Sequence, residues 1–227
     1  MLIPLVRAFA NLVMPPLRRV VALSLGMAIL CFAALWFGAA YLIHSNASSS
    51  WAVLNWLTDL LGAAAVLGLT WLLFPAVVTL VTGFFLERVA AAVEAADYPG
   101  RGPPRSQPVR DIIAATLRLM GLTLLLNLLA LPIYLFVPGV NFFVFLGLNG
   151  YLFGREYFEV VALRRLDVIA ARAVRRRFAL RVFVGGVVIA ALFAVPLVNL
   201  AAPVLATAFM VHVFEGLPPL DLQRLPS

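Results

Sequence analysis

From Val20 to Ile43 the chain carries no charged residue. An α-helix rises 1.5 Å per residue, and about 20 apolar residues cross the hydrocarbon core of a bilayer. This run therefore predicts a transmembrane helix over 20–43. A second uncharged run, Leu60 to Phe85, predicts another over 60–85, with Pro75 inside it. Proline is tolerated in a membrane helix when neighbouring groups satisfy the freed carbonyl. Composition agrees with lipid as the solvent: 64% of residues are hydrophobic, 12% are charged and the mean hydropathy is +1.05. A soluble domain is about 45–50% apolar and about 25% charged.

Charge sets the expected orientation. The chain has 227 residues, a formal charge of +7 and no lysine, so every basic side chain is an arginine. Such a balance can signal nucleic acid. In a chain this apolar it is better explained by arginines that fix membrane topology, so no nucleic-acid partner is expected. Arginines precede the first span, follow the second in Glu87–Asp111, and recur between Tyr157 and Arg181 and near the C-terminus. The loop His44–Asp59 has none, and its Trp51 and Trp56 fit an interfacial belt. Both termini are thus expected in the cytoplasm. The N-terminus does not read as a cleavable signal, because the apolar run after Arg18 and Arg19 is too long.

The second half has a different rhythm. Ile112–Leu131 is apolar except for Arg118, and Pro132 to Gly139 leads into another apolar stretch ending near Tyr151. Val182–Val195, a segment bounded by Pro196 and Pro203, and Val204–Phe214 repeat the pattern with shorter arms. Two greasy arms around a proline-bounded turn fit a re-entrant hairpin, whose turn must be hidden from lipid. They equally fit a pair of full spans with a tight outer turn. Val137-Pro138-Gly139-Val140-Asn141 echoes Val195-Pro196-Leu197-Val198-Asn199, and paired proline-interrupted segments occur in transporters. Between the hairpins, Leu163, Leu166, Ala170 and Val174 form an apolar stripe among Arg164, Arg165, Arg172, Arg175, Arg176 and Arg177. This predicts an amphipathic helix in the headgroup layer over 157–181. The expectation is one all-α membrane domain over 1–227, with hairpins at 112–151 and 182–214.

Chemistry is sparse. Cys31 is the only cysteine, and His44 and His212 are isolated, so no metal-ligand spacing and no intrachain disulfide arise. Ser48-Ser49-Ser50 has no base beside it and no phosphate-binding glycine loop is present. No catalytic constellation or cofactor is expected. Pro15-Pro16-Leu17-Arg18-Arg19 is the informative segment: two guanidinium forks at a helix start suit a tetrahedral oxyanion, and free first-turn amides would add donors. The same pair also fits a topology anchor touching lipid phosphates, which the residues alone favour. Glu87 and Glu94 are seven apart and share a helical face. They can pair with arginine and keep an anion site from permanent occupancy, or simply be solvated. Gly150 and Gly154 point to close helix packing. Asn127, Asn141, Asn149, Asn199 and Arg118 fit either a polar path or ordinary caps, interhelical bonds and snorkelling.

At several of these positions the sequence resembles the CysZ-type sulfate permease family, grouped with etoposide-induced-protein 2.4-like membrane proteins. The resemblance is carried by Pro16-Leu17-Arg18-Arg19, by Gly83-Phe84-Phe85-Leu86-Glu87-Arg88-Val89 with Val93-Glu94 and Tyr98-Pro99, and by Val137-Pro138-Gly139-Val140-Asn141. Gly150-Tyr151-Leu152-Phe153-Gly154-Arg155-Glu156-Tyr157-Phe158-Glu159 is its most specific part. It implies two long transmembrane helices with two hemi-penetrating hairpins, ATP-independent sulfate uptake for cysteine synthesis at the cell inner membrane, and assembly into homo-oligomers. It places sulfate at a Gly-Leu-Arg segment. Here Leu17 and Arg18 match, Arg19 supplies a second arginine, and Pro16 replaces the glycine and removes one N–H. A second expectation comes from the Arg-rich helix: a non-transporting protein that binds or shapes lipid.

Overall fold

The computed structural model describes residues 1–46, 60–64, 66–68, 70, 74, 77–78, 81–105 and 109–218. Trp51, Trp56 and Pro75 lie outside the described residues. The element order is α1 (Leu2–Asn11), α2 (Pro15–Asn46), the helical residues 60–64, 66–68, 70, 74, 77–78 and 81–83 grouped as α3, α4 (Leu86–Asp97), α5 (Val109–Phe136), a 3-10 turn (Pro138–Val140), α6 (Asn141–Ala162), α7 (Val168–Arg177), α8 (Ala179–Ala194), α9 (Pro196–Asn199) and α10 (Ala202–Glu215). No strand occurs among the described residues. The chain is an all-α membrane protein, as its composition predicts.

Among the described residues, two helices have the length and apolarity of spans, Pro15–Gly38 within α2 and Leu117–Phe136 within α5; part of the predicted span over 60–85 lies outside the described residues. α2 begins before the first predicted span. Pro15 and Pro16 start the helix rather than only ending the lead, because proline lacks only an N–H that a first turn leaves unpaired. α2 and α3 meet where Trp36 Nε1 donates to Thr70 Oγ1 at 2.8 Å and Phe32 packs on Phe74.

The first hairpin is longer than expected. α5 runs through Pro132 without stopping, and α6 continues from Asn141 to Ala162. The predicted arm ending near Tyr151 and the first residues of the predicted interfacial helix are thus one helix. With 28 and 22 residues, both arms reach the length of a span, but of the two only α5 is apolar enough to cross, since α6 carries Arg155, Glu156 and Glu159. The second hairpin keeps short arms, 16 residues in α8 and 14 in α10, each below the ~20 needed to cross.

The Arg-rich segment is reorganised accordingly. Leu163–Leu166 forms the turn after α6, and the Asp167 side chain accepts from the Ala170 amide at 2.7 Å to start α7. Leu163 and Leu166 therefore lie outside α7, whose buried side is Ala171 and Val174. α7 meets α8 at 88° across Phe178.

The core forms around α10, where every residue from Ala202 to Val213 is buried. A helix apolar on all sides is stable only when surrounded, and α1, α4, α6 and α8 surround it. α6 and α8 approach through glycine. A Cβ on Gly186 would stand 1.8 Å from the Gly150 carbonyl oxygen, and one on Gly154 would stand 2.6 Å from that of Val182. The Gly150/Gly154 face is a packing face. α5, by contrast, turns Leu124, Leu128 and Leu135 outward.

Candidate functional site

The start of α2 separates its residues sharply. Leu17 is wholly buried in the same core cluster as Val89 and Val93 of α4. Arg18 and Arg19 are exposed, and neither forms an ion pair among the described residues. The predicted cradle of free amides is much reduced. Pro15 and Pro16 have no N–H, the Arg18 amide donates to the Met14 carbonyl at 3.0 Å, and Leu17 is enclosed. What this helix start offers an anion is therefore the two guanidinium groups, fixed at their base by the buried leucine between the prolines and the arginines.

Glu87 and Glu94 converge on one arginine, as their spacing on α4 allows. Arg164, in the turn after α6, donates from Nε to Glu94 Oε1 at 3.1 Å and from Nη2 to Oε2 at 3.2 Å. Its Nη1 reaches Glu87 Oε1 at 3.3 Å. The Arg164 and Glu94 side chains are 5% and 6% exposed, whereas Glu87 is 81% exposed. Arg165 also pairs with Glu94 and donates to the Gly102 carbonyl. The Arg105 amide donates to the Arg164 carbonyl at 2.9 Å. Two carboxylates and two guanidinium groups cancel in charge, and together they strap the loop after α4 to the turn before α7. A buried bidentate pair holds geometry strongly, whereas an exposed carboxylate adds little. Arg18 and Arg19 are not part of this network.

A second cluster is not balanced. Arg118 of α5, Arg155 and Glu159 of α6 and Arg172 of α7 line one small cleft. Arg155 Nε donates to Glu159 Oε1 at 3.0 Å, and Arg175 Nε lies 3.8 Å from the same oxygen. Among the described residues, Glu159 is the one carboxylate lining this cleft, with Arg118, Arg155 and Arg172 around it and Arg175 beside it. Of this cluster, sequence offers only the i,i+4 spacing of Arg155 and Glu159. Arg118 and the α7 arginines approach from other helices.

A third constellation surrounds His212. Tyr98 Oη lies 2.9 Å from His212 Nδ1, His212 Nε2 lies 2.7 Å from Asn11 Oδ1, and Asn11 Nδ2 donates to Asp97 Oδ2 at 2.7 Å. The carboxylate can only accept, so Asn11 must turn its amide nitrogen to Asp97 and its oxygen to the imidazole. His212 Nε2 therefore carries a proton, and neutral His212 accepts at Nδ1 from the Tyr98 hydroxyl. Burial pushes the Tyr98 phenol up, with the nearby Arg7 opposing the rise, so Tyr98 keeps its proton at neutral pH. The chain of bonds ties α1, the end of α4 and α10 together. A lone histidine and an asparagine in an amphipathic lead give no sequence signal for it.

No curated protein matches the chain. The model of one protein family, described as sulfate transporter CysZ/etoposide-induced protein 2.4, matches residues 4–203. That range holds the arginine pair at the start of α2, the Glu94–Arg164 network and both arms of the first hairpin, and the chain belongs to the CysZ/etoposide-induced protein 2.4 family of membrane proteins.

Proposed function

We propose that this protein is a sulfate permease or channel that supplies sulfate for cysteine biosynthesis. The observation that carries the reading is the exposed pair Arg18 and Arg19 at the start of a helix long enough to cross a bilayer, in a chain of this family. Guanidinium groups bind tetrahedral oxyanions through paired donors and keep their charge at any physiological pH. Leu17 fixes the pair in place. In this reading Glu87 and Glu94 belong to the charged network controlling the path, and Arg164 sets the position of both. The protein resides in the cell inner membrane with both termini in the cytoplasm, in keeping with its arginine distribution. The outward leucines of α5 suit lipid or a second copy of the chain in a homo-oligomer.

Uptake of radiolabelled sulfate into proteoliposomes tests the reading. Wild-type protein is expected to exceed empty vesicles, and Arg18→Ala to lower uptake by tenfold or more. Uptake equal to that of empty vesicles with folded wild-type protein would overturn it, and selenate, thiosulfate and phosphate as competitors would define the oxyanion. A non-transporting, lipid-shaping role is the second reading. The observation that favours it is α7, set at 88° to α8 with Arg176 and Arg177 exposed. Loss of vesicle association on neutralising Arg175, Arg176 and Arg177, without any sulfate flux in the wild type, would support that role instead.

A further inference from the structure

A cleft of about 690 Å³ lies between α1, the start of α8 and the end of α10. Its lining does not include Arg18 or Arg19, and it plays no part in the sulfate reading. Arg7 and Arg181 supply its cationic groups, and Tyr98, His212 and Glu215 complete its polar lining. Glu215 does not offset the arginines, because its side chain is 2% exposed and is paired with Arg101. Both His212 nitrogens are already used by Tyr98 and Asn11. Arg7 and Arg181 have no carboxylate partner among the described residues. Arg181 is held in place by one bond, Nη1 to the Gly216 carbonyl at 3.0 Å, which leaves its other donors available.

The rim has the opposite character. Leu2 is 78% exposed and Ile3 70%, and the outer face of α1 continues through Val6 and Phe9. Leu2 and Ile3 line the same cleft as the arginines. A short helix with an exposed apolar face lies in the membrane interface with that face in the acyl layer. We propose that this cleft binds the phosphate headgroup of an anionic phospholipid, with Arg7 and Arg181 on the phosphate and the acyl chains against Leu2 and Ile3. The shared chemistry is a tetrahedral phosphate oxyanion. A free ion would draw on the arginines alone, whereas a lipid also covers the exposed apolar rim.

The test uses the full chain purified in mild detergent and delipidated, with lipid retention followed by native mass spectrometry. Dioleoylphosphatidylglycerol is expected to bind at least tenfold more tightly than dioleoylphosphatidylcholine. Arg7→Gln/Arg181→Gln should lose that preference, while Arg88→Gln, at an exposed arginine that does not line the cleft, keeps it. Leu2→Gln/Ile3→Gln leaves both arginines in place, which guards against misfolding of the arginine variant, and should weaken phosphatidylglycerol binding several-fold. Inorganic phosphate should compete only weakly. Unchanged phosphatidylglycerol preference in both double variants would overturn the site. Full competition by millimolar inorganic phosphate, with no effect of Leu2→Gln/Ile3→Gln, would overturn the lipid assignment and leave a free-oxyanion site.

Discussion

Arg164 and Glu94 lie 70 residues apart in sequence and meet as fork and carboxylate, through two hydrogen bonds of 3.1 and 3.2 Å. Both side chains are almost fully buried. Removing one partner of such a pair strands a charge away from water and costs roughly 3–5 kcal/mol. Arg164→Ala and Glu94→Ala should each lower thermal stability in detergent by that order, whereas Glu87→Ala, on an exposed side chain, should change it by less than about 1 kcal/mol. Arg164→Lys should restore little, because an ammonium cannot span both carboxylate oxygens. Equal melting temperatures for the Glu87 and Glu94 variants would contradict this ranking.

The α6–α8 crossing makes a steric prediction. Gly186→Ala places a methyl group 1.8 Å from the Gly150 carbonyl oxygen and 2.7 Å from the Gly154 Cα, both backbone atoms that cannot rotate away. The helices must separate, at a cost of at least about 1–3 kcal/mol. Gly26→Ala meets nothing within 4 Å and serves as the control. It should be neutral or slightly stabilising, since alanine is the better helix former by about 1 kcal/mol. The comparison is read from the fraction of each variant that stays monodisperse after heating.

These two contacts also mark where sequence is informative. Gly150 and Gly154 announce packing because small residues four apart make a flat helix face, although their partner Gly186 does not follow from that spacing. The long apolar run predicts α2 for a similarly local reason. Glu87 and Glu94 show by spacing that they share a face, but nothing local says that Arg164, rather than another arginine, will meet them. Proline brackets the first hairpin turn too widely. Pro132 marks a break by composition, yet α5 continues through it to Phe136, and the turn comes at Pro138. The stripe Leu163, Leu166, Ala170 and Val174 has helical spacing across a real break, because the Asp167 cap that restarts the helix is a single residue inside the pattern. Contacts between distant elements, such as the His212–Asn11 bond or the sharing of one cleft by Arg118 and Arg172, leave no periodic trace.

The raised Tyr98 phenol gives a pH dependence with a definite sign. The folded state holds this proton more tightly than the unfolded chain, whose phenol titrates at its ordinary value of 10.0. The associated stability is complete below that value and is lost as pH rises through the higher folded value. Unfolding followed across the alkaline range should therefore show stability falling above pH 10.0, and Tyr98→Phe should remove this component. The same variant deprives His212 Nδ1 of its donor, which should cost about 1 kcal/mol at neutral pH. An alkaline profile identical in wild type and Tyr98→Phe would assign the late phenol elsewhere.

Leu17 and Arg18 are neighbours with opposite surroundings, so their substitutions should separate placement from binding. Leu17→Ala empties a fully enclosed position against α4 and should cost about 2–5 kcal/mol of stability. Arg18→Ala and Arg19→Ala remove exposed side chains without ion-pair partners among the described residues, and should leave stability within about 0.5 kcal/mol. Sulfate flux should order the variants differently. Arg18→Ala loses flux at wild-type stability, and Leu17→Ala loses both together, because the arginine pair is positioned by the leucine packed beneath it. Flux retained in Leu17→Ala, measured on protein that has stayed folded, would show that the arginines bind anions without that support.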